Sequence, residues 1–216
     1  MSMTLVIGNK NYSSWSLRPW LFLKYHGITF EEIRIALYQA DSKNRILDFS
    51  PSGKVPVLID GELKVWDSLA IMEYLSERFP KTQGWPEDQA ERAFARSISA
   101  EMHAGFMALR THCGMNCRRM PASKKLPEEV YRDIERIGQI WRQCRQRHQD
   151  KGPWLFGRFT IADAMFAPVA LRFHTYQSDI NAEARDYVNT VLDYPAIREW
   201  VEAGKREMEV IPAFED

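Results

Sequence analysis

Along the first 80 residues the apolar positions switch repeatedly between strand spacing and helix spacing. Residues 4–8 (TLVIG) form a short β-branched and apolar run, which predicts a buried strand. Residues 9–14 carry turn chemistry. Residues 17–25 predict a helix, with Ser16 as N-cap, Pro19 tolerated in the first turn and Gly27 as the stop. Ile33, Ile35 and Leu37 alternate with Arg34 and Ala36, a second strand. Residues 57–59 and 63–66 flank Asp60-Gly61, a strong hairpin signal. Leu69, Met72, Leu75 and Phe79 then follow helical spacing and stop at Pro80. The expected order is β-α-β followed by β-β-α with a mixed sheet.

The pattern changes after that point. Residues 81–89 (KTQGWPEDQ) are polar, with Gly84 and Pro86, and read as a linker. Beyond them only helical spacing recurs, over residues 91–112, 127–149, 160–176, 182–192 and 195–208. The chain is expected to divide into an α/β domain over residues 1–80 and an all-α domain over residues 90–216. Thr160 and Asp163 have capping-box spacing ahead of an apolar helix, so their expected role is folding rather than chemistry. Arg132, Arg136, Arg142, Arg145 and Arg147 interleave with Ile134, Ile137, Ile140, Trp141 and Cys144, which reads as a solvated face opposite an apolar one.

Charge narrows the choice of partner. The chain holds 29 basic and 29 acidic residues in 216, a formal net charge of zero, which argues against nucleic acid. No apolar run approaches a membrane span, and residues 1–10 lack the basic and apolar segments of a signal peptide, so a cytoplasmic protein is expected. Cys113, Cys117 and Cys144 make an odd set without framework spacing, consistent with reduced thiols. Cys113 and Cys117 beside His112 invite a metal reading, but small apolar packing residues fit better, and no metal site is expected.

The candidate chemistry lies in two short stretches. Val55-Pro56 sits at the mouth of an apolar run, and Asp67-Ser68 follows eleven residues after the proline. The residue before a proline is pushed into extended geometry. If that bond is cis, Val55 can turn its N–H and C=O outward and pair with a bound peptide as an added strand. Asp67 suits the ammonium group of such a peptide. Ser68 and the first N–H groups of the following helix suit its carboxylate. Three hydroxyls, those of Tyr12, Ser13 and Ser14, precede the first helix, where one of them can donate to a thiolate.

Ser13-Ser14-Trp15-Ser16-Leu17-Arg18, Lys54-Val55-Pro56, Asp67-Ser68 and Phe159-Thr160-Ile161-Ala162-Asp163, taken together and in order, resemble a cytosolic glutathione transferase of the serine type, zeta- or theta-like. The resemblance covers nearly the whole chain. It implies a thioredoxin-like N-terminal domain that binds glutathione through Lys54, Val55, Pro56, Asp67 and Ser68, with Lys54 near the glycyl end. It implies a sulfur-facing serine, and Ser13, five residues before Arg18, matches the family spacing best. Ser14 is the next candidate and Tyr12 the last. The resemblance also implies a homodimer, a small apolar electrophile as second substrate, and a part in detoxification.

The electrophile pocket is expected from the first-strand loop and the first long helix of the second domain. Trp15 stands where the zeta pattern has cysteine. His103, Phe106, Met107 and Arg110 are further candidates, although a Met and aromatic stripe is more often core, and His103 reads better as a packing residue than as an acid. A glutathione-dependent isomerase of the maleylacetoacetate type is the alternative. Trp15, Asp67 in place of that class's glutamine, and an arginine displaced by one turn from Arg172 weaken it. A non-catalytic glutathione or ligand binder is the other reading. The lack of any cysteine before position 113 disfavours disulfide exchange.

Overall fold

A computed structural model describes residues 3–215 of the chain. Its four strands are β1 (Met3–Ile7), β2 (Phe30–Arg34), β3 (Val57–Asp60) and β4 (Leu63–Trp66). Its α-helices are α1 (Ser14–Tyr25), α2 (Ser42–Leu47), α3 (Ser68–Arg78), α4 (Gln89–Ala104), α5 (Met107–His112), α6 (Glu128–His148), α7 (Ile161–Thr175), α8 (Ala182–Asp193) and α9 (Pro195–Lys205). The strands form one mixed sheet in the order β2-β1-β3-β4. β1 is parallel to β2 and antiparallel to β3, and β3 and β4 form the expected hairpin.

The period-two pattern of β1 assigns its two faces. Leu5 and Ile7, with Leu58, join the main core beside Leu17, Trp20 and Leu21 of α1 and Ile71, Met72 and Leu75 of α3. Val6 and Val57 point the other way, into a smaller cluster with Ile35 and with Ile46 of α2. A one-residue slip of β1 would exchange these sets, so the register is firmly specified. Helices therefore cover both faces of the sheet, and the helical C-terminal domain packs on the α1 side.

α7 is the centre of that second domain. Of its fifteen residues only His174 is not buried. A helix that is apolar all round is a core helix, and α7 packs against α1, α3, α4 and α8. Asp163 anchors its first turn. One carboxylate oxygen accepts from the Thr160 N–H (2.8 Å) and hydroxyl (3.0 Å), and the other from the Leu155 N–H (2.9 Å) and the Tyr187 hydroxyl (3.1 Å). Full burial pushes the Asp163 carboxyl up to about 6, with the four donors opposing the rise.

Several expectations need correction. α1 begins at Ser14, three residues early, with Ser13 in the N-cap position. Ser16 does not cap the helix; its hydroxyl accepts from the Gly8 N–H (3.1 Å) and ties the first turn of α1 to the end of β1. Pro19 consequently lies beyond the first turn. β2 spans residues 30–34, not 33–37, and Asn9 catches the following chain by accepting the Leu37 N–H (2.7 Å). α2 was not expected, because its six residues bury only Ser42 and Ile46 and leave no periodic signal. The segment 81–89, expected to be a polar linker, buries Trp85, whose indole N–H donates to Glu73 (2.9 Å).

The single helix expected over residues 91–112 is broken in two. Gly105 is extended and Phe106 is left-handed at φ +58°. A Cβ on Gly105 would lie 2.8 Å from the Glu101 carbonyl oxygen, so the break requires glycine. The Arg110 guanidinium closes the exposed end of α4. It donates to the carbonyls of Gly105 (2.9 Å), His103 (3.2 Å) and Met102, three of the acceptors that a helix C-terminus leaves unmatched.

Asp163→Ala removes a carboxylate with four donors and strands buried N–H groups, so it is expected to destabilise the fold by about 3 kcal/mol or more. Urea unfolding checks this, and a loss below about 1 kcal/mol would mean that the α7 cap is not limiting.

Candidate functional site

The site is built first from the β1–α1 loop. That loop is clamped from the C-terminal side. The Glu207 carboxylate accepts the Lys10 N–H (2.7 Å) and the Asn11 N–H (3.0 Å), and the Asn11 side-chain carbonyl accepts the Arg118 N–H (3.0 Å). Tyr12 is turned away from the cleft described next. Its hydroxyl meets Glu215, Arg118 and the Ile211 N–H, and its ring packs on Phe214. Of the three candidate hydroxyls, those of Ser13 and Ser14 remain at the start of α1.

An open cleft of about 920 Å³ lies between α4 and the sheet edge that holds the C-terminal ends of β1, β2 and β4 and the N-terminal end of β3. Trp15, Lys54, Val55, Pro56, Asp67, Ser68 and His103 all line it. The Val55-Pro56 bond is cis. Among the described residues none hydrogen-bonds to the Val55 main chain. Asp67 caps α3, accepting from the Leu69 N–H (2.9 Å) and the Ala70 N–H (3.4 Å), and holds the rare φ of +75°. Strain of that kind on a non-glycine residue collects at ligand sites. Ser68 is fully buried at the first helical position, and Lys54 is exposed on the rim.

The other sequence candidates lie elsewhere. Ser13 and Ser14 are each 7% exposed and are not part of the cleft lining. Phe106 is buried in the core and Met107 is 63% exposed, both away from the cleft. Arg110 stands behind Trp15 rather than on the wall. Leu37, Tyr38, Gln39, Ser42, Lys43 and Ile46 also line the cleft and went unforeseen. They belong to the connection around α2, a segment with too little periodicity to place.

Positive charge gathers around Trp15. The guanidinium groups of Arg18 (4.3 Å to the ring centroid) and Arg110 (4.8 Å) both stack on its indole, with the His103 ring edge-on at 5.1 Å. Arg18 is 1% exposed and donates to the Ser68 hydroxyl (3.3 Å), while its Nε has no partner. Burial holds the Arg18 guanidinium well below its ordinary range; Arg110 and Arg172 add to the fall and Asp67 opposes it. His103 Nε2 meets the free Asp67 oxygen at 3.2 Å. Burial lowers the His103 pKa, Asp67 opposes this, and Arg18 and Arg110 add to the fall. Arg172 of α7 reaches this region as well, donating to the Ser14 hydroxyl (3.1 Å) and the Cys113 carbonyl (2.8 Å).

Cys113 and Cys117 are free, and burial pushes their thiols up to about 11 and about 12. Both stay protonated at neutral pH and neither is nucleophilic there. Among the described residues, no three His, Cys, Asp or Glu side chains are grouped to hold a metal ion.

Residues 12–78 match the family model for the glutathione S-transferase N-terminal domain, and residues 89–203 match that for its C-terminal domain. Glutathione S-transferase T1 of Arabidopsis thaliana is 38% identical over 81 residues, 36% of this chain and 33% of that protein. A probable maleylacetoacetate isomerase of Caenorhabditis elegans is 35% identical over 97 residues, 44% of each chain. The chain thus spans less than half the length of these two relatives. A Burkholderia glutathione transferase homolog crystallised with glutathione superposes with a TM-score of 0.73 at 23% identity, covering 96% of this chain and 100% of that one. A diazinon-metabolizing glutathione S-transferase from the silkworm Bombyx mori gives the same TM-score at 16% identity, covering 95% and 98%. These likenesses carry the fold: a mixed four-stranded sheet domain followed by a helical domain. Because the two family models match in order and together take in most of its length, the chain belongs to the glutathione S-transferase family.

Proposed function

We propose that this protein is a glutathione transferase, which binds glutathione in the cleft at Val55 and Asp67 and adds its thiolate to a small apolar electrophile. The observation that supports this most is the convergence of an unpartnered Val55 main chain, Asp67 with Ser68, and Trp15 on one cleft beside the N-terminus of α1. The Val55 N–H and C=O suit the cysteinyl main chain of the tripeptide in strand-like pairing. Asp67 suits the γ-glutamyl ammonium group. The Ser68 hydroxyl and the first N–H groups of α3 suit the neighbouring carboxylate. Lys54 suits the glycyl carboxylate from the rim.

The chemical task is to ionise a thiol. A free cysteine thiol has a pKa of about 8.5, and lowering it by two units needs about 2.7 kcal/mol. A hydroxyl of the Ser13–Ser14 pair donating to sulfur supplies about 1.5–3 kcal/mol. The α1 N-terminus adds about 0.3–1 kcal/mol. The thiol proton passes to solvent. The thiolate forms a carbon–sulfur bond, and the electrophile either expels a leaving group or takes up a proton at the adjacent carbon. Trp15 offers an apolar wall for that second substrate, and the cleft holds the two reactants together.

A second reading draws on the 35% match to a probable maleylacetoacetate isomerase. There the same thiolate would add to a double bond, allow rotation and leave again. Assay of maleylacetoacetate, with no cis–trans conversion expected, separates the two. We further propose a cytoplasmic homodimer; no described helix is long and apolar enough to cross a membrane.

Conjugation of chlorodinitrobenzene tests the primary reading. Wild type is expected to turn over, and Ser13→Ala with Ser14→Ala is expected to lower kcat/KM at least about tenfold. Absence of turnover with every aromatic and conjugate-addition electrophile would reject it. Asp67→Asn, which removes the charge and keeps an oxygen for the α3 N–H groups, is expected to weaken glutathione binding about tenfold, near 1.4 kcal/mol, while the same variant unfolds normally in urea. Unchanged affinity would remove Asp67 from the site.

A further inference from the structure

We propose that the Trp15 indole N–H binds the second substrate and selects it: an electrophile with an apolar body whose reacting carbon is conjugated to an acceptor oxygen, as in an α,β-unsaturated ketone. The inference rests on the glutathione transferase reading and deepens it by naming the substrate class and the residue that chooses it.

Trp15 sits where the two reactants must meet. It is the second residue of α1 and the only residue of that helix among those that line the cleft. The thiolate is expected at the same helix N-terminus, and neighbouring Cα atoms are about 3.8 Å apart. A carbon that bonds to that sulfur therefore comes up beside the indole.

The Trp15 N–H has no acceptor among the described residues, and it is not sealed from solvent as those of Trp141 and Trp200 are. Trp20 and Trp85, by contrast, spend theirs on Glu32 (2.8 Å) and Glu73 (2.9 Å). The π-surface of Trp15 is already engaged, with Arg18 and Arg110 stacked on it and the His103 ring edge-on. The N–H is the polar group that this ring has left for a ligand.

Both cations are fixed. Arg18 is 1% exposed and donates to the Ser68 hydroxyl. Arg110 is held by the carbonyls of Gly105 (2.9 Å) and His103 (3.2 Å). Two positive charges against the ring draw electron density from it and strengthen its N–H as a donor, because polar groups in contact polarise one another. Asp67 is the only carboxylate among the lining residues, and the proposed binding mode gives it to the glutathione ammonium group. Negative charge that develops on a substrate oxygen at Trp15 thus meets a donor backed by two cations.

The step is redox-neutral. The thiolate sulfur bonds to the β-carbon, the carbon–carbon π pair moves between the α-carbon and the carbonyl carbon, and the carbonyl oxygen becomes an enolate oxygen. The Trp15 N–H hydrogen-bonds to that oxygen and keeps its proton. Water then protonates the α-carbon and the carbonyl reforms. A donor aimed at the atom where charge develops favours the transition state over the ground state. An alkyl halide places its charge on the departing halide, so it gains nothing from this N–H.

The test uses the full chain with glutathione and two electrophiles, 4-phenyl-3-buten-2-one and benzyl chloride. Trp15→Phe keeps an aromatic ring and deletes the N–H. It is expected to lower kcat for the enone at least about tenfold, with KM moving less than kcat, and to cost the enone more than benzyl chloride. The pKa of the bound thiol, read from thiolate absorbance, is expected not to move, and it serves as the reference if benzyl chloride is not turned over. Arg110→Gln keeps an N–H for the α4 carbonyls and removes the cation, and it is expected to lower the enone kcat about threefold. Equal losses on the two electrophiles would make Trp15 a plain wall, and a raised thiol pKa in Trp15→Phe would make it a donor to sulfur; either overturns the proposal. Where Trp15→Phe does not fold, Arg110→Gln decides, and unchanged enone turnover overturns it. A wild type that does not turn over the enone also overturns it. Saturable glutathione binding with benzyl chloride turnover then leaves the transferase reading standing, whereas a wild type that binds no glutathione removes both.

Discussion

α7 buries fourteen of its fifteen side chains and packs along α1, and its one buried guanidinium, Arg172, touches the first residue of that helix. This contact ties the start of α1 to the second domain. The start of α1 in turn sets the direction of Ser13 and Ser14, the stacking of Arg18 and Arg110 on Trp15, and the hydrogen bond from Arg18 to Ser68 at the start of α3. Asp163 holds α7 itself by tying its first turn to Leu155 and Tyr187. A loss at this cap would therefore be felt at the cleft, through packing rather than through any direct contact.

The cleft shows a division of labour between rigid and polar parts. The N-terminal domain lines it with main-chain groups and short polar side chains, those of Val55, Asp67 and Ser68, and the helical domain lines it with His103 from α4. The loop between β1 and α1 is fixed by Glu207 and Arg118. Such fixed dipoles and charges are effective because they do not reorganise during reaction.

Much of this was legible in the amino-acid pattern, and the misses have physical causes. The hairpin at Asp60-Gly61, the apolar α7 and the Thr160–Asp163 cap are local signals, and each appears where local chemistry says it should. Val55-Pro56 and Asp67-Ser68 could be paired with a ligand class because both lie within one continuous unit. The break between α4 and α5 was not legible, because one glycine in a periodic run is usually tolerated and the left-handed Phe106 has no sequence mark. α2 was too short to show a period. Arg172 and Ser14 are 158 residues apart, and only the folded chain joins them. The one available hint was a lone arginine in a mostly apolar helix.

The central claim is that the cleft both binds glutathione and ionises its thiol. Calorimetric titration tests it directly when glutathione and S-methylglutathione are compared in two buffers of different ionisation enthalpy. The account predicts saturable binding of both, with proton release near neutral pH for glutathione alone, because only a free thiol can lose a proton on entering the site. Binding of both ligands without proton release would contradict thiolate stabilisation. No heat with either ligand would contradict the site itself.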